Sequence, residues 1–330
     1  LLLPRAEVLA GIGSERHGKA SDRQERKAFK LAVGAVGGHC DFSEGIDVGL
    51  YHDIGKADHG VLDAGWKAVA DNLPEHLRVT AELLTERLRA RFGVERVVII
   101  PDEDIDDNTN KALAARAYAE IFSSENENAH LGVGWGSMLD KMASYAEGLA
   151  DVKKGDGRIF PLVGGINSVI RSYHTNELVR ILALKSGKRP AFLYIPALLD
   201  TNADLELTKR TEPYALIEKE WRAMEQAVVS LSNFPSYPDL GVKSFYGDRL
   251  TERHAVGRIL AYYFDVNGRI IRPQEETALQ IPIDILRRAQ VTALCSGQVK
   301  PEAVAGALRL GIINTVMLPF GLAARVADMQ

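Results

Sequence analysis

Hydrophobic and polar positions follow two regimes that meet near residue 78. Before it, glycine and histidine are dense and the apolar period is poor. After it, short apolar runs alternate with amphipathic stretches to the end of the chain. Leu77, Ala81, Leu84 and Leu88 recur at spacings of three and four and predict a helix over 77–92, which Gly93 stops. Arg96 to Pro101 then reads as a buried strand, the acidic run Asp102 to Asn110 as a solvated loop, and Lys111 to Phe122 as a helix. Ala129 to Val133 predicts a strand, with a helix following from Met138. The same unit recurs: strand Arg158 to Val163, helix His174 to Lys185, strands Ala191 to Ile195 and Ala227 to Leu231. It closes with strand Val291 to Leu294, helix Pro301 to Leu310 and strand Thr315 to Leu318. Strand, glycine loop, helix, repeated, predicts an α/β, Rossmann-like domain with a mainly parallel sheet.

In such sheets ligands bind beyond the carboxyl ends of the strands. Three strand-to-helix junctions there carry useful chemistry. Gly132 to Ser137 includes Gly134 and Gly136, which admit close backbone approach, and Ser137, which adds a hydroxyl at a helix start. Gly164 and Gly165 end the next strand, with Arg171 beyond them. Ser296, Gly297 and Lys300 form the third junction, where the ammonium lies about one turn past the glycine. One glycine loop is more often a tight turn than a site. Three in order, two with a cation near the helix start, point to a phosphorylated small molecule.

Composition narrows the field. With 330 residues, 46% of them hydrophobic and 25% charged, the chain has room for a large globular domain and a small one. No apolar run is long enough to span a membrane, and Leu1-Leu2-Leu3-Pro4 has neither the basic flank nor the length of a signal peptide. A net charge of −4 argues against a surface coated for nucleic acid but leaves room for a small basic module. Cys40 and Cys295 are too few and too distant in sequence for a metal pair and read as free thiols of a cytoplasmic protein.

The runs GVGWGSML, PLVGGINS with HTNELVRILA, AVGRILAYYFDVNG and CSGQVKPEAVAGALRLGIINTV, with LTERLRARFGVERVVIIP ahead of them, resemble the effector domain of SorC-type sugar-responsive bacterial transcription regulators. The resemblance covers about residues 75 to 330, in order and spacing. It implies a domain related to sugar-phosphate isomerases and deaminases that binds a phosphorylated sugar, without a cofactor, and assembles as a dimer or tetramer. Carried over by position, Gly134, Gly136 and Ser137 correspond to the first phosphate loop, and Arg171 and Asn176 to the segment lining the sugar pocket. Asp265 matches the acidic residue before an Asn-Gly turn, and Gly297 and Lys300 match a Gly-Gly-x-x-Lys loop. Met138 stands where the family usually has Thr, Ser296 replaces the first glycine of the lysine loop, and Leu318-Pro319 replaces Thr-Asp.

The same resemblance calls for a helix-turn-helix and short wing over 21–74, after a poorly ordered segment over 1–20. Ser21 with Gln24 fits a capping box, and Ala28, Phe29, Leu31 and Ala32 supply an apolar face for the first helix. Within FSEGIDVGLYHDIGKADHGVLDAGWKAV, Ser43-Glu44 resembles the Thr-Gln start and Ile54-Gly55-Lys56 the Ile-Ser-Arg of the recognition helix, while Val61 to Val69 leads into the wing. Ser43, Lys56, His59 and Lys67 are the expected DNA contacts. The element is eroded: Gly55 and Gly60 each cost a helix about 0.8–1 kcal/mol relative to Ala, and Asp53, Asp58 and Asp63 repel phosphates. DNA binding is expected to be weak.

LYHDIGKADH also resembles the His-Asp signature of HD-type metal phosphohydrolases. That site needs another His upstream and an Asp downstream on separate helices, and the available His39 is thirteen residues from His52 across a glycine-rich segment. His39, His52 and His59 therefore read as surface residues and no metal is expected. The expected function is a DNA-binding regulator of carbohydrate metabolism, and not an enzyme. The alternative is a sugar-phosphate isomerase or deaminase of the same fold, for which His174, Glu177 and Asp265 are the candidate proton-transfer groups. A third reading is a ligand-binding protein that has lost its DNA head.

Overall fold

A computed structural model describes residues 75–103, 105–150, 156–236 and 245–329. The expected helix-turn-helix over 21–74, with Ser43, Lys56, His59 and Lys67, lies outside these residues, as does Cys40.

Helix α1 (Glu75–Phe92) buries Leu84 and Leu88 and ends at Gly93, whose φ of 68° lets its N–H turn back to the Arg89 carbonyl at 2.8 Å. Strand β1 (Arg96–Ile100) follows. Helix α2 (Asp106–Ile121) starts five residues before the predicted Lys111, which corrects the reading of Asp102 to Asn110 as solvated loop. Asp106 and Asp107 are acidic, but they occupy a helical first turn, where negative charge is favourable. Lys111 and Lys141 both pair with Asp107 and hold its carboxyl down at about 2. Thr109 and Asn110 are buried.

Strands β2 (Leu131–Val133) and β3 (Arg158–Pro161) bracket helix α3 (Ser137–Glu147), and helix α4 (Thr175–Ser186) leads to β4 (Arg189–Pro190). The predicted strand Ala191 to Ile195 does not form: pairing stops at Pro190. Beyond it the Leu193 backbone is taken by the Asn176 side-chain amide, at 2.9 and 3.0 Å, instead of by a neighbouring strand. Helices α5 (Asn202–Thr208) and α6 (Glu212–Arg222) precede β5 (Gln226–Asn233), the longest strand described. Short helix α7 (Arg249–Glu252) opens a meander of β6 (Ala255–Ile259), β7 (Tyr262–Asp265) and β8 (Ile270–Ile271). One-turn helix α8 (Ile283–Leu286), β9 (Gln290–Leu294), α9 (Pro301–Arg309), β10 (Thr315–Pro319) and α10 (Phe320–Ala327) complete the chain.

The sheet runs β1-β10-β9-β5-β2-β3-β4, all parallel, and β6 adds antiparallel to the far end of β5 through Leu231 to Asn233. Strand order departs in both directions from the β2–β5 pair, so the topological switch point lies between those strands. Alternation along each strand sends side chains to two cores. Val228, Leu294 and Met317 meet α2, α3 and α4 on one face. Val229, Ala293 and Leu318 meet α1, α6, α9 and α10 on the other.

One buried cation braces the sheet's edge. Lys188 is 3% exposed and donates to the carbonyls of Asn126, Glu127 and Ala129 at 2.6–2.9 Å. Burial lowers its pKa to about 8, so it keeps its proton at neutral pH. Lys188→Met removes the ammonium from three carbonyls, of which, among the described residues, only that of Asn126 also accepts a backbone N–H, from Ala129, and is expected to cost about 2–4 kcal/mol, read as a lower urea midpoint.

Candidate effector site at the sheet's switch point

The loop after β2 is shaped by two close approaches. The Gly134 N–H donates to the Val228 carbonyl of β5 at 2.9 Å, and a Cβ on Gly134 would stand 2.9 Å from Leu260 Cδ2. Gly136, at φ 124° and ψ 166°, has a backbone only glycine adopts readily, and a Cβ there would lie 2.7 Å from Ser230 Cβ. Gly136 caps α3 without a side chain, and Ser137, exposed, is the first helical residue. The first N–H groups of α3 thus have no intrahelical acceptor and face the crevice end of the sheet.

The loop after β9 lies on the other side of β5. Strands β2 and β9 each pair with β5, so they stand about 10 Å apart. Two asparagines lace this loop in place. Asn110 accepts the Gly297 N–H at 3.0 Å and donates to Gln298 Oε1 at 2.9 Å. Asn233, at the end of β5, accepts the Lys300 N–H at 2.7 Å and donates to the Gln298 carbonyl at 2.9 Å. Lys300 caps α9 ahead of Pro301, and its side chain is exposed, with no ion pair among the described residues. Cys295, one residue past β9, is a free buried thiol pushed up to about 12 by desolvation, which makes it inert.

The other expected site residues are engaged elsewhere. Gly164 and Gly165 pack against 195–197: the Gly165 N–H donates to the Ile195 carbonyl at 2.9 Å, and a Cβ on Gly164 would meet the Ala197 nitrogen at 2.7 Å. Arg171 turns onto α3, where it meets Asp140 at 2.6 Å and Glu147 at 3.1 Å and also donates to Ser144. Its charge is already matched by two carboxylates. Asn176 spends both ends of its amide on Leu193. Asp265 accepts from the Asn267 and Arg269 N–H groups at 2.9 Å each, closing the β7–β8 turn. That turn lies against the C-terminal end of α9, a helix about 13 Å long, with Lys300 at its other end. The structure thus brings Gly134, Gly136, Ser137, Gly297 and Lys300 to neighbouring strand ends around β5, and sets Arg171, Asn176 and Asp265 in structural contacts.

Sequence reading missed Asn110, Asn233, Ser230 and Arg258. The asparagines carry no motif of their own; only their pairing with a loop nearly 190 residues away in one case, and 65 to 67 in the other, gives them a role. Ser230 sits inside an apolar run and matters because Gly136 needs a small neighbour.

A family profile described as "Putative sugar-binding domain" matches residues 79–325. The chain belongs to that family. The sorbitol operon regulator of Klebsiella pneumoniae is 24% identical over 243 residues, covering 71% of this chain and 76% of the relative. The crystal structure of the full-length sorbitol operon regulator SorC from the same organism superposes with a TM-score of 0.66 at 22% identity, covering 74% of this chain and 80% of that one. A DeoR family transcriptional regulator from Listeria monocytogenes gives 0.65 at 21% identity, with 75% and 99% covered. The solved structures establish the fold, and the SorC-type resemblance of the sequence holds. Among the described residues, no helix is long and apolar enough to cross a membrane.

The two glycines make a contrast. Gly136→Ala is expected to destabilise the protein by about 1–3 kcal/mol, because φ and the Ser230 contact both resist a methyl group. Gly165→Ala has nothing within 4 Å of the new Cβ and should stay within about 0.5 kcal/mol of wild type. Paired thermal melts check both.

Proposed function

We propose that this chain is a transcriptional regulator whose α/β domain binds a phosphorylated sugar at the β2–β5–β9 strand ends. One observation carries the reading: the N-terminus of α3 and the N-cap of α9, bearing Lys300, flank the end of β5 from strands about 10 Å apart. That span suits a phosphate held by backbone N–H groups and one ammonium, with sugar hydroxyls over the end of β5 at Ser232. The named relatives are operon regulators, which favours a regulator over an enzyme. The acid–base candidates are also occupied. His174 Nε2 lies on the Ser168 carbonyl, Glu177 holds Arg180 through two bonds of 2.8 Å, and Asp265 closes its turn.

In this reading the effector shifts an equilibrium between two arrangements of a homo-oligomer, and can do so only by binding one of them more tightly. Residues 21–74 supply a weak DNA-binding head that reads an operator in carbohydrate metabolism. The test is a thermal-shift panel of sugar phosphates against their unphosphorylated sugars. At least one phosphate should raise the melting temperature, and Lys300→Ala should weaken it about tenfold while leaving the free sugar unaffected. A flat panel removes the effector reading. Anisotropy with DNA from upstream of the gene should show affinity that falls with salt, and salt-independent or absent binding removes the DNA-binding reading.

A further inference from the structure

Arg258 is a buried charge. Its residue is 3% exposed, and no carboxylate pairs with it among the described residues. Its guanidinium donates to two neutral oxygens, the Leu260 carbonyl at 3.2 Å and the Tyr173 hydroxyl at 3.1 Å. It also lies 5.8 Å from the centre of the Tyr173 ring, while Nε has no acceptor among the described residues. A buried guanidinium left this way is costly to the fold and has donors to spare. Lys188, the other buried cation described, shows the contrast: three carbonyls surround it.

The position is as informative as the burial. Arg258 on β6 is directly opposite Ser232 on β5, so the two side chains share a face. Ser230, two residues earlier, shares that face and is the residue against Gly136. Gly257, on the opposite face, packs toward Ala303 of α9. Arg258 therefore lies on the α3 side of the sheet, beside the loop that opens the crevice. Trp135 of that loop donates to the same Leu260 carbonyl at 3.3 Å and packs edge-on against Tyr173. Leu260 itself has a left-handed φ of 52°. The Tyr173 hydroxyl, already accepting from Arg258, keeps its own hydrogen for another acceptor.

We infer that Arg258, with the Tyr173 hydroxyl, receives a second oxyanion of the effector, so that the regulator reads a phosphosugar that carries a second acidic group. The inference rests on the proposed effector site: one phosphate lies between α3 and Lys300, and the second acidic group, carboxylate or phosphate, lies against β6. An oxyanion supplies what the guanidinium lacks, with charge-assisted bonds to Nε and one Nη and a third from the phenol.

Calorimetry on the full chain with three probes tests this: fructose 6-phosphate, fructose 1,6-bisphosphate and 6-phosphogluconate. Wild type should bind at least one of the two probes with two acidic groups about 10- to 100-fold more tightly than the monophosphate, and which one identifies the second group. Arg258→Met should remove most of that preference and leave fructose 6-phosphate within about threefold. Should Arg258→Met fail to fold, Arg258→Lys keeps the charge but loses the fork, and should narrow the preference without abolishing it. Equal wild-type affinity for all three probes overturns the inference and leaves the effector site standing, as does a preference unchanged in both variants. No binding by any probe overturns the site and the inference together.

Discussion

Strand β5 is the constraint on which the rest of the molecule depends. Gln226 to Ser230 pair with β9 on one side, Gln226 to Val228 pair with Leu131 to Val133 of β2 on the other, and the far end of the strand pairs with β6. The two halves of the parallel sheet and the antiparallel meander therefore meet on one strand. Because β2 and β9 must each lie one strand spacing from β5, the loops that follow them cannot drift apart. The Gly134 N–H on the Val228 carbonyl and the Asn233 side chain on the Gln298 and Lys300 backbones extend this registration past the regular pairing. A crevice at the switch point is then a consequence of topology, and its chemistry depends on which side chains the flanking loops supply.

Charge accounting explains how those side chains divide the work. Arg171, Lys300 and Arg258 all lie near the crevice end of the sheet, yet they meet three different surroundings. Arg171 is neutralised by Asp140 and Glu147 and fastens the turn before α4 to α3. Lys300 is exposed at the cap of α9, where water solvates its charge. Arg258 is buried, and no carboxylate pairs with it among the described residues. A cation's identity in the sequence says nothing about this difference, because burial and counter-ions come from residues far away in the chain.

The parts of the fold legible in the sequence were those with strong local periodicity or an obligatory glycine. The helix at 77–92 and its stop at Gly93, the strands at 96–101 and 291–294, and the loops around Gly134–Gly136 and Gly297 follow from local pattern alone. Two elements went astray where a tertiary contact outweighed the pattern. Ala191 to Ile195 is apolar enough for a strand, but the Asn176 amide occupies the Leu193 backbone that a partner strand would need. Asp106 to Asn110 is polar enough for a loop. The helix dipole and the two lysines on Asp107 nonetheless favour a helix there, and Asn110 is buried because it must reach Gly297.

The amino-acid sequence by itself determined the class of domain, the order of its units and the glycine positions where backbone meets backbone, because those depend on period and on φ. Tertiary structure alone decided that Arg171 is spent on α3, that Asn110 and Asn233 hold the lysine loop, and that Arg258 is buried opposite Ser232. Those outcomes depend on which residues distant in sequence become neighbours, and on how much water their pairing leaves between them.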